Sequence, residues 1–141
     1  MESYKSLREE AWEANLLLPK YNLVIFTWGN VSAFDEEKGL FAIKPSGVPY
    51  ERLTPEDMVV VDLEGKVVWG TRRPSSDAPT HRILYCSFPG IRGITHTHSP
   101  AAVTWAQALE EVPVYGTTHA DHCAGPILCT PYFFIRMVLN M

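Results

Sequence analysis

The chain has 141 residues, 46% of them hydrophobic and 20% charged, with a net charge of −4. That length suits one domain, able to bury roughly 70% of the surface its unfolded form exposes. The mild acidity without a basic cluster argues against nucleic acid as a partner, and no apolar run approaches the ~18 residues of a membrane helix. The first ten residues carry both charge signs and no apolar core, unlike a signal peptide. Three cysteines, Cys86, Cys123 and Cys129, with no C-x-x-C pair, read as reduced thiols buried as small hydrophobes in a cytoplasmic protein.

Ser6-Leu7-Arg8-Glu9 has the capping-box pattern of a helix start, and Leu7, Ala11, Ala14 and Leu18 share one face of a helix expected to end before Pro19. Leu23 to Thr27 is apolar and β-branched and reads as a strand. Trp28-Gly29-Asn30 breaks it, and Val31-Ser32-Ala33 resumes an extended segment. Phe41 to Ile43 reads as a strand, followed by a turn at Lys44-Pro45-Ser46-Gly47. Thr54 to Asp57 reads as a turn or one helical turn. Met58 to Asp62 and Lys66 to Trp69 form a hairpin through Glu64-Gly65. After a polar loop from Arg72 to Asp77, a helix with Pro79 in its first turn reaches Phe88 and buries Ile83, Leu84 and Phe88. Gly93 to His98 is a strand. Ser99-Pro100 then starts a helix running to about Leu109. Val112 to Val114 reads as a short strand, and Gly116 to His122 as a polar loop. Hairpins mixed with helices give an α/β or α+β class with a largely antiparallel sheet.

Residues i and i+2 of a strand share a side, so His96 and His98 present two imidazoles together, a pairing that suits zinc and its neighbours. A catalytic zinc normally takes three protein ligands, which leaves the third to be found. Ser75-Ser76-Asp77 precedes a helix whose first N–H groups have no internal partner; it reads as a phosphate cradle or a plain N-cap. Asp77 itself is open to capping, metal ligation or base catalysis. Lys44, Ser46 and Gly47 offer a charge, a hydroxyl and close backbone approach to an anion, or form an ordinary turn. Gly29-Asn30 lends a backbone group and an amide to the same ligand, or forms a bulge. His119, Asp121 and His122 lie in the polar loop, where Asp121 is a candidate general acid or base. His81 is expected to face packing or solvent.

These segments together resemble the class II aldolase/epimerase superfamily. The resemblance is carried by Glu13-Ala14-Asn15-Leu16, Leu18-Pro19-Lys20, Thr27-Trp28-Gly29-Asn30-Val31-Ser32, Ile43-Lys44-Pro45-Ser46-Gly47-Val48, Asp57 to Val61, Lys66-Val67-Val68, Pro74-Ser75-Ser76-Asp77, Pro79-Thr80-His81-Arg82, His96-Thr97-His98-Ser99, Trp105 to Ala108 and Gly116 to Asp121. It implies a three-layer α/β/α fold around a mainly antiparallel sheet, in a cytoplasmic homotetramer with sites at subunit interfaces. It implies Zn2+ or another divalent metal held by His96 and His98, with Asp77 in or beside the metal shell. Gly29, Asn30, Lys44, Ser46, Gly47, Ser75 and Ser76 would bind the substrate, mostly its phosphate. Asp121 would be one of two proton-transfer residues. Related aldolases use a glutamate as base where this chain has Asp77, which favours the epimerase branch. The implied substrate is a phosphorylated ketopentose, in pentose-phosphate metabolism such as arabinose breakdown. L-ribulose 5-phosphate and D-xylulose 5-phosphate would interconvert by retro-aldol cleavage and aldol recombination, and an aldolase acting on a phosphorylated sugar is the alternative activity. The resemblance stops near Cys129-Thr130. Residues 1–130 are therefore read as the family's N-terminal part and 131–141 as an aberrant apolar tail. The third zinc histidine and the tyrosine partner of Asp121 are expected in a segment beyond it. The sheet is expected to be incomplete, and an inactive shortened remnant is the alternative to an active enzyme.

Overall fold

The computed structural model describes residues 4–130; the tail set apart above lies outside the described residues. The chain divides after His98 into two compact units.

The first unit opens with helix α1, Lys5–Lys20. The capping box does not form: the helix starts one residue before Ser6, and Tyr4 at the N-cap makes no side-chain bond. Pro19 lies inside the last turn, where it forfeits only its own N–H bond, and Tyr21 still donates to the Leu17 carbonyl (3.0 Å). The buried face is Arg8, Ala11, Asn15 and Leu18, so two polar side chains share it with the expected apolar ones.

Strands β1 (Asn30–Asp35), β2 (Leu40–Ile43), β3 (Val59–Asp62), β4 (Val67–Trp69) and β5 (Gly93–His96) form one sheet in the order β4-β3-β2-β1-β5, every neighbour antiparallel. Helix α2, Ala78–Ser87, precedes β5. Strand alternation sends side chains to opposite faces. On one face Ala33, Ala42, Met58 and Val60 pack with Ala11 of α1. On the other Phe41, Ile43, Val59 and Val61 pack with Ala78 and Tyr85 of α2. The unit is therefore three layers, α/β/α.

Leu23 to Thr27 is not a strand. No neighbour among the described residues pairs with it, Phe26 takes φ +56, and Leu23, Ile25 and Phe26 face outward. Helix α2 buries Ala78, His81 and Tyr85 instead of Ile83, Leu84 and Phe88; Ile83 and Leu84 flank that stripe half-buried, and Phe88 stands exposed.

The second unit holds helix α3, Pro100–Gln107, capped by backbone geometry at Ser99 without a side-chain bond. The expected strand at Val112 to Val114 is reduced to one bridge between Val112 and Ile127. The expected loop at Gly116 to His122 is a short helix, α4, Thr117–His122. All three cysteines are free, as expected, but they are not buried: Cys86 and Cys123 are exposed and Cys129 is half-buried. Cys86 follows Tyr85 on α2 and so points away from the sheet. No helix among the described residues is long and apolar enough to cross a membrane.

Candidate functional site

The site is built where β1, β5 and the start of α2 meet. Asn30 pairs across the ladder with His96, and both aim at the face covered by α2. Asp77 occupies the N-cap position of α2, yet its side chain caps nothing. It turns into the sheet instead. Asn30 Nδ2 donates to Asp77 Oδ2 (2.6 Å), and His96 Nδ1 lies 2.7 Å from the same oxygen. Ser75 Oγ accepts from the Asp77 backbone N–H (3.2 Å), which fixes the turn into the helix.

The bond from His96 holds the Asp77 carboxyl down at about 2, against the opposing pull of partial burial. Ionised, it only accepts. The shared proton therefore sits on His96 Nδ1, and the Asp77 bond raises the His96 pKa. In the neutral ring the Nε2 of His96 keeps its lone pair, which no group among the described residues takes up. An imidazole oriented this way by a carboxylate is the usual outer-shell support of a metal ligand. The strand ends at His96, so His98 lies just past it, but the two rings stay 4.7 Å apart. Trp28 packs against His98 with ring centroids 5.4 Å apart. Two adjacent imidazoles, one aligned by a carboxylate, fit a first-row divalent ion. Among the described residues no group of three or more side chains is placed to complete such a shell.

Lys44 is 2% exposed and has no carboxylate partner among the described ion pairs. Its Nζ donates to the Thr27 carbonyl (3.3 Å) and sits 4.7 Å from the centre of the Tyr50 ring. Burial lowers its pKa. A buried cation with so little compensation calls for an anion. The Tyr50 hydroxyl, pushed up to about 12 by burial, stays protonated and donates to the carbonyls of Trp28 (3.0 Å) and Gly29 (2.9 Å). Gly29, at φ +74, allows the bend there; a Cβ would stand 2.5 Å from Val24 Cγ1 and 2.8 Å from the His96 carbonyl oxygen. Gly47 likewise holds φ +72 in the turn after Lys44. Asn30, 1% exposed, leaves its Oδ1 without a partner among the described residues.

One cavity of about 370 Å3, a size that suits a small ligand, is lined by Gly29, Asn30, Lys44, Ser46, Gly47, Ser75, Ser76, Asp77, His96 and His98. Ten residues singled out in four separate stretches of sequence thus face one space. Thr27, Trp28 and Pro45 complete its wall. Asp121 belongs to the second unit, exposed on α4. His119 and His122 share that helix and bond the carbonyls of Gly125 and Thr118. His81 is buried behind the site rather than in it. Ser32 Oγ lies 2.7 Å from its Nδ1 and 2.6 Å from the Tyr85 hydroxyl. Tyr50 and Tyr85 carried no sequence signal, and Ser32 and His81, though each lies within a motif of the resemblance, stand too far apart in sequence to be read as one cluster. Trp28 was visible only as the neighbour of Gly29-Asn30.

Residues 9–139 match the class II aldolase and adducin N-terminal domain family. The L-ribulose-5-phosphate 4-epimerase UlaF of Salmonella paratyphi B is 56% identical over 126 residues, which is 89% of this chain and 55% of that protein. The protein of the same name in Salmonella typhi matches to the same extent. Among solved structures, an L-fuculose 1-phosphate aldolase is 37% identical, with a TM-score of 0.73 over 77% of this chain and 51% of that one. The L-fuculose-1-phosphate aldolase of Thermus thermophilus is 27% identical, with a TM-score of 0.73 over 96% of this chain and 69% of that one. The chain spans about half the length of the curated relatives it matches.

Proposed function

This chain belongs to the class II aldolase and adducin N-terminal domain family, and we propose that it is a 4-epimerase interconverting L-ribulose 5-phosphate and D-xylulose 5-phosphate. The observation that carries the reading is a single cavity joining a buried lysine, without a carboxylate partner among the described residues, to a pair of adjacent imidazoles. A phosphorylated ketose presents complementary groups: a dianion for the first and vicinal oxygens for a metal at the second.

Lys44, Ser46, Gly47, Ser75 and Ser76 bind the phosphate, with Gly29 lending backbone, and Asn30 Oδ1 accepts from a hydroxyl of the substrate. His96 and His98 hold the metal, which we assign as Zn2+ on its preference for imidazole. Asp77 orients His96 through Nδ1. When bound, the ion supplies Lewis-acid stabilisation of the negative charge that develops on substrate oxygens during C–C cleavage. The phosphate contacts keep the cleaved aldehyde fragment in place while it turns over and recombines. Asp121 serves as one proton-transfer group. Asp77, ionised down to about 2 and committed to His96 and Asn30, is no base near neutrality. That supports the epimerase over an aldolase, in which the corresponding glutamate takes the proton. The protein works in the cytoplasm as a homotetramer.

A second reading, binding without turnover, is favoured by the incomplete metal shell among the described residues. Incubation with Zn2+ or Mn2+ and L-ribulose 5-phosphate separates the two. The epimerase reading expects D-xylulose 5-phosphate, lost in His96→Ala. Folded, metal-loaded protein that yields no product above background overturns it, and retained binding of inorganic phosphate then favours the second.

A further inference from the structure

Strand β1 is paired unequally on its two sides. Toward β5 the ladder runs through Asn30, opposite His96. Toward β2 it stops at Ser32, opposite Ile43. The next pair in register would be Val31 with Lys44, but β2 has turned away. The Lys44 carbonyl accepts from Ser75 N–H (3.1 Å), Ser46 N–H donates to the Arg73 carbonyl (3.0 Å), and Pro45 bridges Pro74. The two strands are wedged apart at this point, and Asn30, Lys44 and Ser75 all line the resulting cavity. Opening a ladder inside a core leaves backbone groups that must find partners.

Asn15 supplies them. Its Oδ1 accepts from Val31 N–H (2.9 Å), and its Nδ2 donates to the Val31 carbonyl (2.8 Å). The second Nδ2 proton goes to the Ala11 carbonyl (2.7 Å), and the residue is fully buried. The side-chain amide thus presents to Val31 the donor and acceptor a β2 residue would have offered. Asparagine is a poor residue for a helix interior, and leucine would be the ordinary occupant of a buried helical position. We propose that Asn15 is a positioning residue for the site: it replaces the missing strand partner at Val31, so that β1 keeps its register with β5 while β2 diverges to open the cavity. Its functional meaning rests on the substrate-site reading above; its structural role does not.

Amide hydrogen exchange on the whole chain tests this, with inorganic phosphate as the ligand probe. In the wild type, Val31 is expected to exchange as slowly as Ala33, whose side of β1 is paired with β2. In Asn15→Leu, Val31 is expected to speed up about tenfold relative to Ala33, the amount lost with one net hydrogen bond, and phosphate affinity to fall about tenfold. Leu7→Ala, which loosens the same helix without touching Val31, should move the two amides together and leave phosphate affinity unchanged. A wild-type Val31 that exchanges like an unpaired amide overturns the proposal, and that measurement needs no folded variant. So does an Asn15→Leu protein in which Val31 and Ala33 change alike. A wild type that binds no phosphate sinks the site reading instead, while the exchange data still decide the role of Asn15.

Discussion

Strand β1 gives Val31 and Ala33 to helix α1, and Asn30, Ser32 and Phe34 to helix α2, so one strand serves two faces of opposite character. Toward α1 the sheet presents small and aliphatic side chains, and the one polar intruder opposite β1, Asn15, spends every bond on backbone. Toward α2 the centre is apolar, but one end grades into the Ser32–His81–Tyr85 cluster and then into Asn30, Asp77 and His96. The strand's period of two separates cohesion from chemistry. Substitutions on the two faces should therefore fail in different ways.

The largest effect is expected on the α1 face. Met58 is fully buried there, and Met58→Ala should cost about 2–5 kcal/mol of stability, measured by denaturant unfolding, with the metal affinity of the folded fraction unchanged. Equal losses of stability and metal affinity would mean the faces are not separable.

A pH titration addresses the α2 face. Burial drives the His81 pKa down to about 4 from its ordinary value near 6.5. The unfolded chain takes up that proton below about 6.5 and the folded chain only below about 4, so stability is whole above 6.5 and falls as pH drops through this window. The loss is on the order of 3 kcal/mol. His96, raised by Asp77, acts on stability above the window, and Asp77, lowered to about 2, acts below it. Unfolding free energies between about pH 7 and pH 4 should show the slope in the wild type and lose it in His81→Gln. A slope unchanged in that variant would assign it elsewhere.

Ser32→Ala should be milder. It removes the partner of His81 Nδ1 and one partner of the Tyr85 hydroxyl, at about 1–3 kcal/mol. Because Ser32 fastens β1 to α2, its loss should also weaken metal binding by titration, whereas Met58→Ala does not. A Ser32→Ala protein with full metal affinity would restrict the cluster to a packing role.

Much of the candidate site was legible because the residues that line its cavity stand in short-range patterns. His96 and His98 were readable as an i, i+2 pair even though the strand ends between them, since the extended chain past His96 keeps the rings together. Lys44 to Gly47 and Ser75 to Asp77 were readable as turn and helix entry. What one sequence does not carry is which turns face each other. The bridge from Pro45 to Pro74 that gathers Lys44, Ser75 and Asp77 is long-range and leaves no spacing signal. Asn15 stood within a motif of the resemblance, but its bond to Val31 depends on where β2 leaves the sheet. Leu23 to Thr27 failed for the converse reason: strand-forming residues make no strand where no neighbour offers a ladder.

The central claim is that His96, aligned by Asp77, and His98 form the protein's part of a metal site. Calorimetric titration of the whole chain with Zn2+ tests it most directly. The account predicts saturable binding in the wild type, its loss in His96→Ala, and a weakening of about 10–100-fold in Asp77→Asn, where the amide can no longer hold His96 by charge. Wild-type protein that is folded but takes up no ion, or an Asp77→Asn protein that binds as tightly as the wild type, would contradict it.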